Sequence, residues 1–297
     1  MPNVLGMREE LALTLAAGIV VGRDHPRLRH AIRRARELGQ IVAVLRGIYA
    51  EAPAAATFET RCRALFAADP DAILVGRSAA IAHGWIEAAE SETVHAVSAR
   101  IQGHHPGYRL SRRRIEADHV ADADGVRATT GVLTALDLAR GGGPAALDDA
   151  LRRGIPLDAL QNALRAQGRR RGNRQLWVHL RDSRDEPWSP AERAAHRGLR
   201  AEGVPGWKAN WAVQRSSGVK AFLDIALPEL LLAFEIDGYT HHRSAAAFAA
   251  DKRRDLDLAL QGWYVVRIDA QWVLEDPARF ARVVSELAAQ RAIALGR

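Results

Sequence analysis

Apolar and polar positions alternate with changing period along the chain. Glu9 to Ile19 has helical composition, and Asp24 or His25 ahead of Pro26 opens a second helix, with the proline where its missing N–H costs little. In that second run, PRLRHAIRRARELG, Leu28, Ile32 and Ala35 share one face while Arg27, Arg33, Arg34 and further arginines cover the rest, as far as Gly39. Strict alternation then takes over at Ile41, Ala43 and Leu45, followed by Gly47-Ile48-Tyr49, which predicts a small β-ribbon. Helix, basic helix and ribbon in this order predict a winged helix-turn-helix over residues 1–60, whose arginine-bearing helix would enter the DNA major groove. The same arginines equally suit a solvated face on a packing module.

The middle of the chain, residues 61–182, is less regular. A helix is expected around Thr60 to Ala68, short strands and turns over 91–135, then helices from Leu133 to Ala139, Ala145 to Arg153 and Leu157 to Ala166. Gly141-Gly142-Gly143 lacks the context of a phosphate-binding loop and reads as a hinge or loop that ends the preceding helix, and His104-His105 ahead of Pro106-Gly107 reads as a polar turn. The run GRRRGNR at 168–174 is either a solvated connector or a phosphate-binding patch. Asp182 to Trp188 is polar and aperiodic, which predicts the main domain boundary.

From 188 to 297 the pattern sharpens. Ser189-Pro190-Ala191-Glu192 is a capping box opening a helix to Gly203. Trp207 to Gln214 and Val219 to Ala226 read as strands joined at Ser216-Ser217-Gly218. The next hairpin pairs Lys220–Ala226 with Leu231–Asp237, and a turn centred on Pro228 would set Asp224 diagonally from Glu235, with Phe222, Leu232 and Phe234 filling the opposite face. A helix from about Ser244 to Gln261, with Phe248, Leu256, Ala259 and Leu260 as its core stripe, crosses to an apolar strand, Trp263 to Asp269, and makes a parallel βαβ unit. Asp276-Pro277 starts the terminal helix. The class is α/β in the broad α+β sense, a mixed sheet flanked by helices at the C-terminal end.

Charge adds a partner class. The formal charge of +7 and a pI of about 10.2 favour polyanions without conferring specificity. One cysteine, Cys62, excludes an intramolecular disulfide and suits the cytoplasm, and no apolar run reaches the length of a membrane span.

The candidate chemistry lies in FLDIALPELLLAFEIDGYTHHRSAAAFAADKRR, residues 222–254. Asp224, Glu235 and Asp237 sit inside apolar runs, where an uncompensated carboxylate is costly. Period two brings them to one sheet face, and like charges so close call for a cation, Mg²⁺ being a hard ion that prefers oxygen ligands. An exposed acidic face beside Lys220, Arg243 and Arg254 is the other reading.

Two resemblances bear on these stretches. ELGQIVAVLRGIYAEAP, the following helix and AILVGRSAAIAHGW resemble the N-terminal part of AbiEi-like antitoxin proteins, which implies a winged-helix DNA-binding region and a partner protein in a toxin–antitoxin or defence system. The spacing departs from that family, since few residues separate Gly18-Ile19-Val20 from the Pro26 helix where another short helix usually fits. SPAER, FLDIALPELLLAFEIDGYTHH, DKRRD and LQGWYVVRID resemble the very-short-patch-repair endonuclease group of the PD-(D/E)XK fold and a related bacterial family. This second resemblance implies a Mg²⁺-dependent endonuclease acting on DNA, with Mn²⁺ as a substitute. Carried over by position, Asp224 and Glu235 would be metal ligands with the Ile236 carbonyl, His242 the proton-transfer residue, and Asp251 its support or that of a water. Glu192 would face the site, although its capping role explains it equally well. Many nucleases of the fold carry a lysine two residues after the glutamate, where this chain has Asp237; the burden would pass to the metal, His242, and Lys252 or Arg254. The alternative function is a non-catalytic DNA-binding regulator or antitoxin that keeps the nuclease fold.

Overall fold

The computed structural model describes residues 4–168, 170–216, 218–237 and 245–297, without the side chains of 4–8 and 245–248. His242 lies outside the described residues. The chain divides into two compact units, Met1–Leu138 and Ala139–Arg297.

The first unit begins with α1 (Val4–Ala16), β1 (Val20–Val21), a 3-10 turn at Pro26–Leu28, α2 (Arg29–Glu37), β2 (Ile41–Leu45) and β3 (Ile48–Glu51). Leu11, Leu15, Val20, Leu28, Ile32, Ala35 and Ile41 form their shared core, so the apolar stripe of α2 is the one the sequence predicts. The helix expected from Pro26 opens with the 3-10 turn and continues as α2, residues 22–25 before it form only a turn, and the strands order as β1-β3-β2. Next come α3 (Phe58–Ala68), β4 (Ile73–Leu74), α4 (Gly76–Ala82), β5 (Val94–Val97), β6 (Tyr108–Ser111), β7 (Val120–Ala123), β8 (Val126–Thr129) and α5 (Gly131–Gly142). Their strands order as β6-β5-β4-β8-β7, with the β5/β6 and β4/β8 pairs parallel.

The second unit contains α6 (Ala145–Arg152), α7 (Leu157–Ala166) and α8 (Asn173–Asp182), then α9 (Pro190–Ala201), β9 (Lys208–Gln214), β10 (Lys220–Leu227), β11 (Leu232–Asp237), α10 (Ala245–Leu260), β12 (Tyr264–Asp269), α11 (Ala270–Glu275) and α12 (Pro277–Ala294). Its sheet runs β12-β11-β10-β9, antiparallel except for the parallel β11/β12 pair made by the crossover helix α10. Ile225, Leu227, Leu232 and Phe234 pack against Ala195 and Leu199 of α9 and Phe280 and Val284 of α12. Ala226 and Ala233 meet Leu258 of α10 and Trp263 on the other face.

Three details differ from the sequence reading. The core residue of α10 is Leu258, whereas Leu256 and Leu260 are exposed. The leucines at 256, 258 and 260 are spread around the helix by its 100° step, so periodicity alone selected the wrong side. Phe222 falls on the face of Asp224, two residues along the strand, and is exposed rather than filling the opposite face. Helix α8, not anticipated, starts at Gly172, whose φ of 88° is left-handed. Arg193 fastens α6 and α8 to α9: buried itself, it donates from Nε to buried Asp148 at 3.0 Å and from Nη2 to Ser183 Oγ at 2.6 Å.

Candidate nuclease site

Strand register assembles the acids. The pairs Leu227↔Leu232, Ala226↔Ala233 and Ile225↔Phe234 place Asp224 and Glu235 directly opposite each other, not diagonally. The turn centres between Glu229 and Leu230 because Pro228–Leu230 winds into a 3-10 turn and Leu231 takes a left-handed φ of 48°. Asp224 Oδ2 accepts the Ile236 N–H at 2.8 Å, fixing its carboxylate at the level of Glu235.

Burial pushes Asp224 up to about 6, and the neighbouring Glu235 and Asp237 charges add to this against the Ile236 hydrogen bond and Arg254. Glu192 reaches in from the first turn of α9. Its N–H donates to Ser189 Oγ at 3.1 Å, while its Oε2 accepts from the Trp188 N–H at 2.8 Å, so the capping box closes one residue earlier than the usual pattern. Burial, then the charge of Asp224, push Glu192 up to about 7. Glu192 thus caps α9 and lies close enough to Asp224 for the two charges to interact.

Glu235, 5% exposed, is covered by two arginines. Arg254 of α10 donates from Nη1 to Glu235 Oε2 at 2.8 Å, its Nη2 contacts Oε1, and Nη2 also donates to the Phe222 carbonyl at 2.7 Å. Arg267 of β12 lies 3.2 Å from Glu235 Oε2, 3.1 Å from Asp237 Oδ2 and 2.7 Å from Asp255 Oδ1. Arg267 is a site residue that the sequence reading missed. It is the register neighbour of Glu235 across the parallel pair, a relation visible only once the pairing is known. Together the two guanidinium groups bring positive charge to the end of the sheet that carries Glu235 and Asp237.

Asp251 is half-buried on α10, three residues before Arg254, and Lys252 beside it is exposed. Arg27, Arg33 and Arg34 are exposed in the first unit. Arg33 and Arg34 form loose pairs with Glu37, at 4.0 and 3.5 Å.

A second unforeseen group is His196, one turn after Glu192 and fully buried against the Trp207 ring at 5.0 Å. Burial, then Arg200 and Arg193, push it down to about 3, so the ring is neutral at physiological pH. The Asp224 backbone approaches the ring and opposes this shift, but neither ring nitrogen makes a hydrogen bond of full geometry among the described residues.

Among the described residues no group of three or more His, Cys, Asp or Glu side chains is placed to hold a metal ion. The Asp224–Glu235 pair nevertheless fits a hard divalent ion of the Mg²⁺ type, which is commonly held by one or two carboxylates plus waters and substrate phosphate. Burial, and to a lesser extent the neighbouring carboxylates, raise Asp224 and Glu192, and a bound cation would favour their charged forms.

No family model matches the chain, and no curated protein matches it. Among solved structures it is similar to the crystal structure of the Rv2827c protein from Mycobacterium tuberculosis, at 19% identity and a TM-score of 0.45, over 64% of this chain and 80% of that one. No helix among the described residues is long and apolar enough to cross a membrane.

Proposed function

We propose that the second unit is a divalent-cation-dependent nuclease that hydrolyses DNA phosphodiester bonds, with the first unit binding or positioning the nucleic acid. The observation that carries this reading is the opposition of Asp224 and Glu235 across the β10/β11 hairpin, with Asp224 locked by the Ile236 N–H and raised to about 6. Asp224, Glu235 and the Ile236 carbonyl would hold Mg²⁺, or Mn²⁺ in its place. When bound, the ion supplies a polarised water and neutralises charge on the phosphate.

The chain's own groups have distinct tasks. Glu192, at about 7, changes protonation state near neutrality and is suited to take or give a proton beside Asp224. Arg267 orients Asp237 and Asp255 by its ion pairs. Arg254, at the edge of the site, has the planar fork that matches a phosphate. The test is conversion of supercoiled plasmid to nicked and linear forms with Mg²⁺ or Mn²⁺, abolished in D224N and E235Q.

The exposed arginine row of α2 beside the β2/β3 ribbon favours a second reading, a DNA-binding regulator or antitoxin in which the nuclease fold serves for shape or partner contact. That reading requires salt-sensitive binding to the chain's own upstream DNA without cation-dependent cleavage.

A further inference from the structure

We infer that Arg254 is a built-in counter-ion for Glu235, which a divalent cation must displace before the site can load, and that DNA phosphate assists by receiving the released guanidinium. The inference rests on the nuclease reading above and concerns how its site is switched on.

The geometry separates the two arginines. Arg267 is held by Asp237 and Asp255 as well as Glu235, so it keeps its place if Glu235 changes partner. Among the described residues Arg254 is held by Glu235 and a single backbone carbonyl, that of Phe222. Arg254 Nη1 donates to Glu235 Oε2 and Nη2 lies against Oε1, which makes no hydrogen bond of its own among the described residues, so an ion shared with Asp224 meets the guanidinium at whichever Glu235 oxygen it takes. The Asp224 side chain, by contrast, makes its one hydrogen bond among the described residues to the Ile236 N–H and has no guanidinium partner there.

Release of Arg254 uncovers a cation at the rim, beside exposed Phe222 and on the same stretch of α10 as the exposed Arg253 and Lys252, one and two residues before it. A buried carboxylate stripped of its arginine is costly alone, and so is a desolvated guanidinium without an anion. Replacing the first by a metal ion and the second by a phosphate removes both costs together. Cation and DNA binding are therefore coupled, each tightening the other by the same factor.

The test is equilibrium binding to the full chain. Free Mn²⁺ is measured by electron paramagnetic resonance over wild type, R254Q, R254K and E235Q, with R253Q controlling for loss of one nearby charge and circular dichroism confirming the fold. R254Q should bind Mn²⁺ about tenfold more tightly than wild type, R254K should fall between them, R253Q should stay close to wild type, and E235Q should lose the site. In parallel, fluorescence anisotropy of a short duplex should show Ca²⁺ tightening DNA binding by wild type and much less by R254Q. Equal Mn²⁺ affinity in wild type and R254Q, with plasmid cleavage intact, overturns the inference and leaves the nuclease standing. Absence of Mn²⁺ binding in every variant, with no cleavage, overturns both.

Discussion

Asp224 Oδ2 accepts the Ile236 N–H at 2.8 Å, which ties β10 to β11 one residue beyond Glu235 and holds two carboxylates face to face in a largely buried sheet. That arrangement is electrostatically unfavourable by itself, and its cost should be measurable as pH-dependent stability.

Glu192 rises from 4.5 to about 7 in the folded chain. Folding therefore takes up a proton between these values. Stability from this group is fully present below about 4.5 and is lost as pH climbs through 7, by on the order of 3 kcal/mol for a shift of this size. Gln at 192 keeps the acceptor for the Trp188 N–H and removes the charge. In urea unfolding with EDTA, E192Q should match wild type near pH 4.5 and exceed it by on the order of 2–3 kcal/mol at pH 8. The same difference at both pH values would contradict this account.

The Arg193–Asp148 pair is nearly fully buried, and burial outweighs even the arginine in pushing the Asp148 carboxyl upward. Removing Asp148 leaves buried Arg193 with only the looser Asp182 pair at 3.5 Å to balance its charge, so D148A should cost about 3 kcal/mol. The double variant D148A/R193M should recover a good part of that loss in the same denaturant melts.

Gly198 lies inside α9, where alanine would ordinarily gain up to about 1 kcal/mol of helix propensity. A Cβ there would run into the Pro277 carbonyl oxygen at the start of α12 and approach its carbonyl carbon to 2.9 Å. G198A should therefore destabilise the chain, by about 1–3 kcal/mol. A neutral or stabilising result in thermal melts would show that the α9/α12 approach is looser than described.

If the arginines of α2 contact phosphate, R33A and R34A should each lower the magnitude of the slope of log K against log salt by about 1 and weaken binding across sequences alike. Their loose pairing with Glu37 offers little competition, since exposed ion pairs contribute at most about 1 kcal/mol.

Much of the C-terminal unit was legible because its signals are local. Ser189 to Glu192 is a cap written in four letters, and the acids of β10 and β11 stand out against Leu, Ile and Phe. What could not be read depends on pairing. The opposition of Asp224 and Glu235 follows from the 3-10 turn at Pro228, and the place of Arg267 follows from a parallel register across a helix. His196 shares the Glu192 face at i+4, yet nothing local distinguishes it from a surface histidine; its burial comes from Trp207 and the sheet above. The leucines of α10 were misassigned because Leu258 lies about 200° around the helix from Leu256, and nothing local says which of the two sides meets the sheet.

The central claim is that Asp224 and Glu235 bind the cation that hydrolyses DNA, and the rate of plasmid nicking tests it most directly. Wild type, D224N and E235Q are compared at pH 8 in Mg²⁺, in Mn²⁺ and in EDTA. The account predicts cation-dependent nicking by wild type and a loss of roughly a hundredfold or more in each variant, as for removal of a principal charge-stabilising group. Equal rates in the three proteins, or nicking that persists in EDTA, would contradict it.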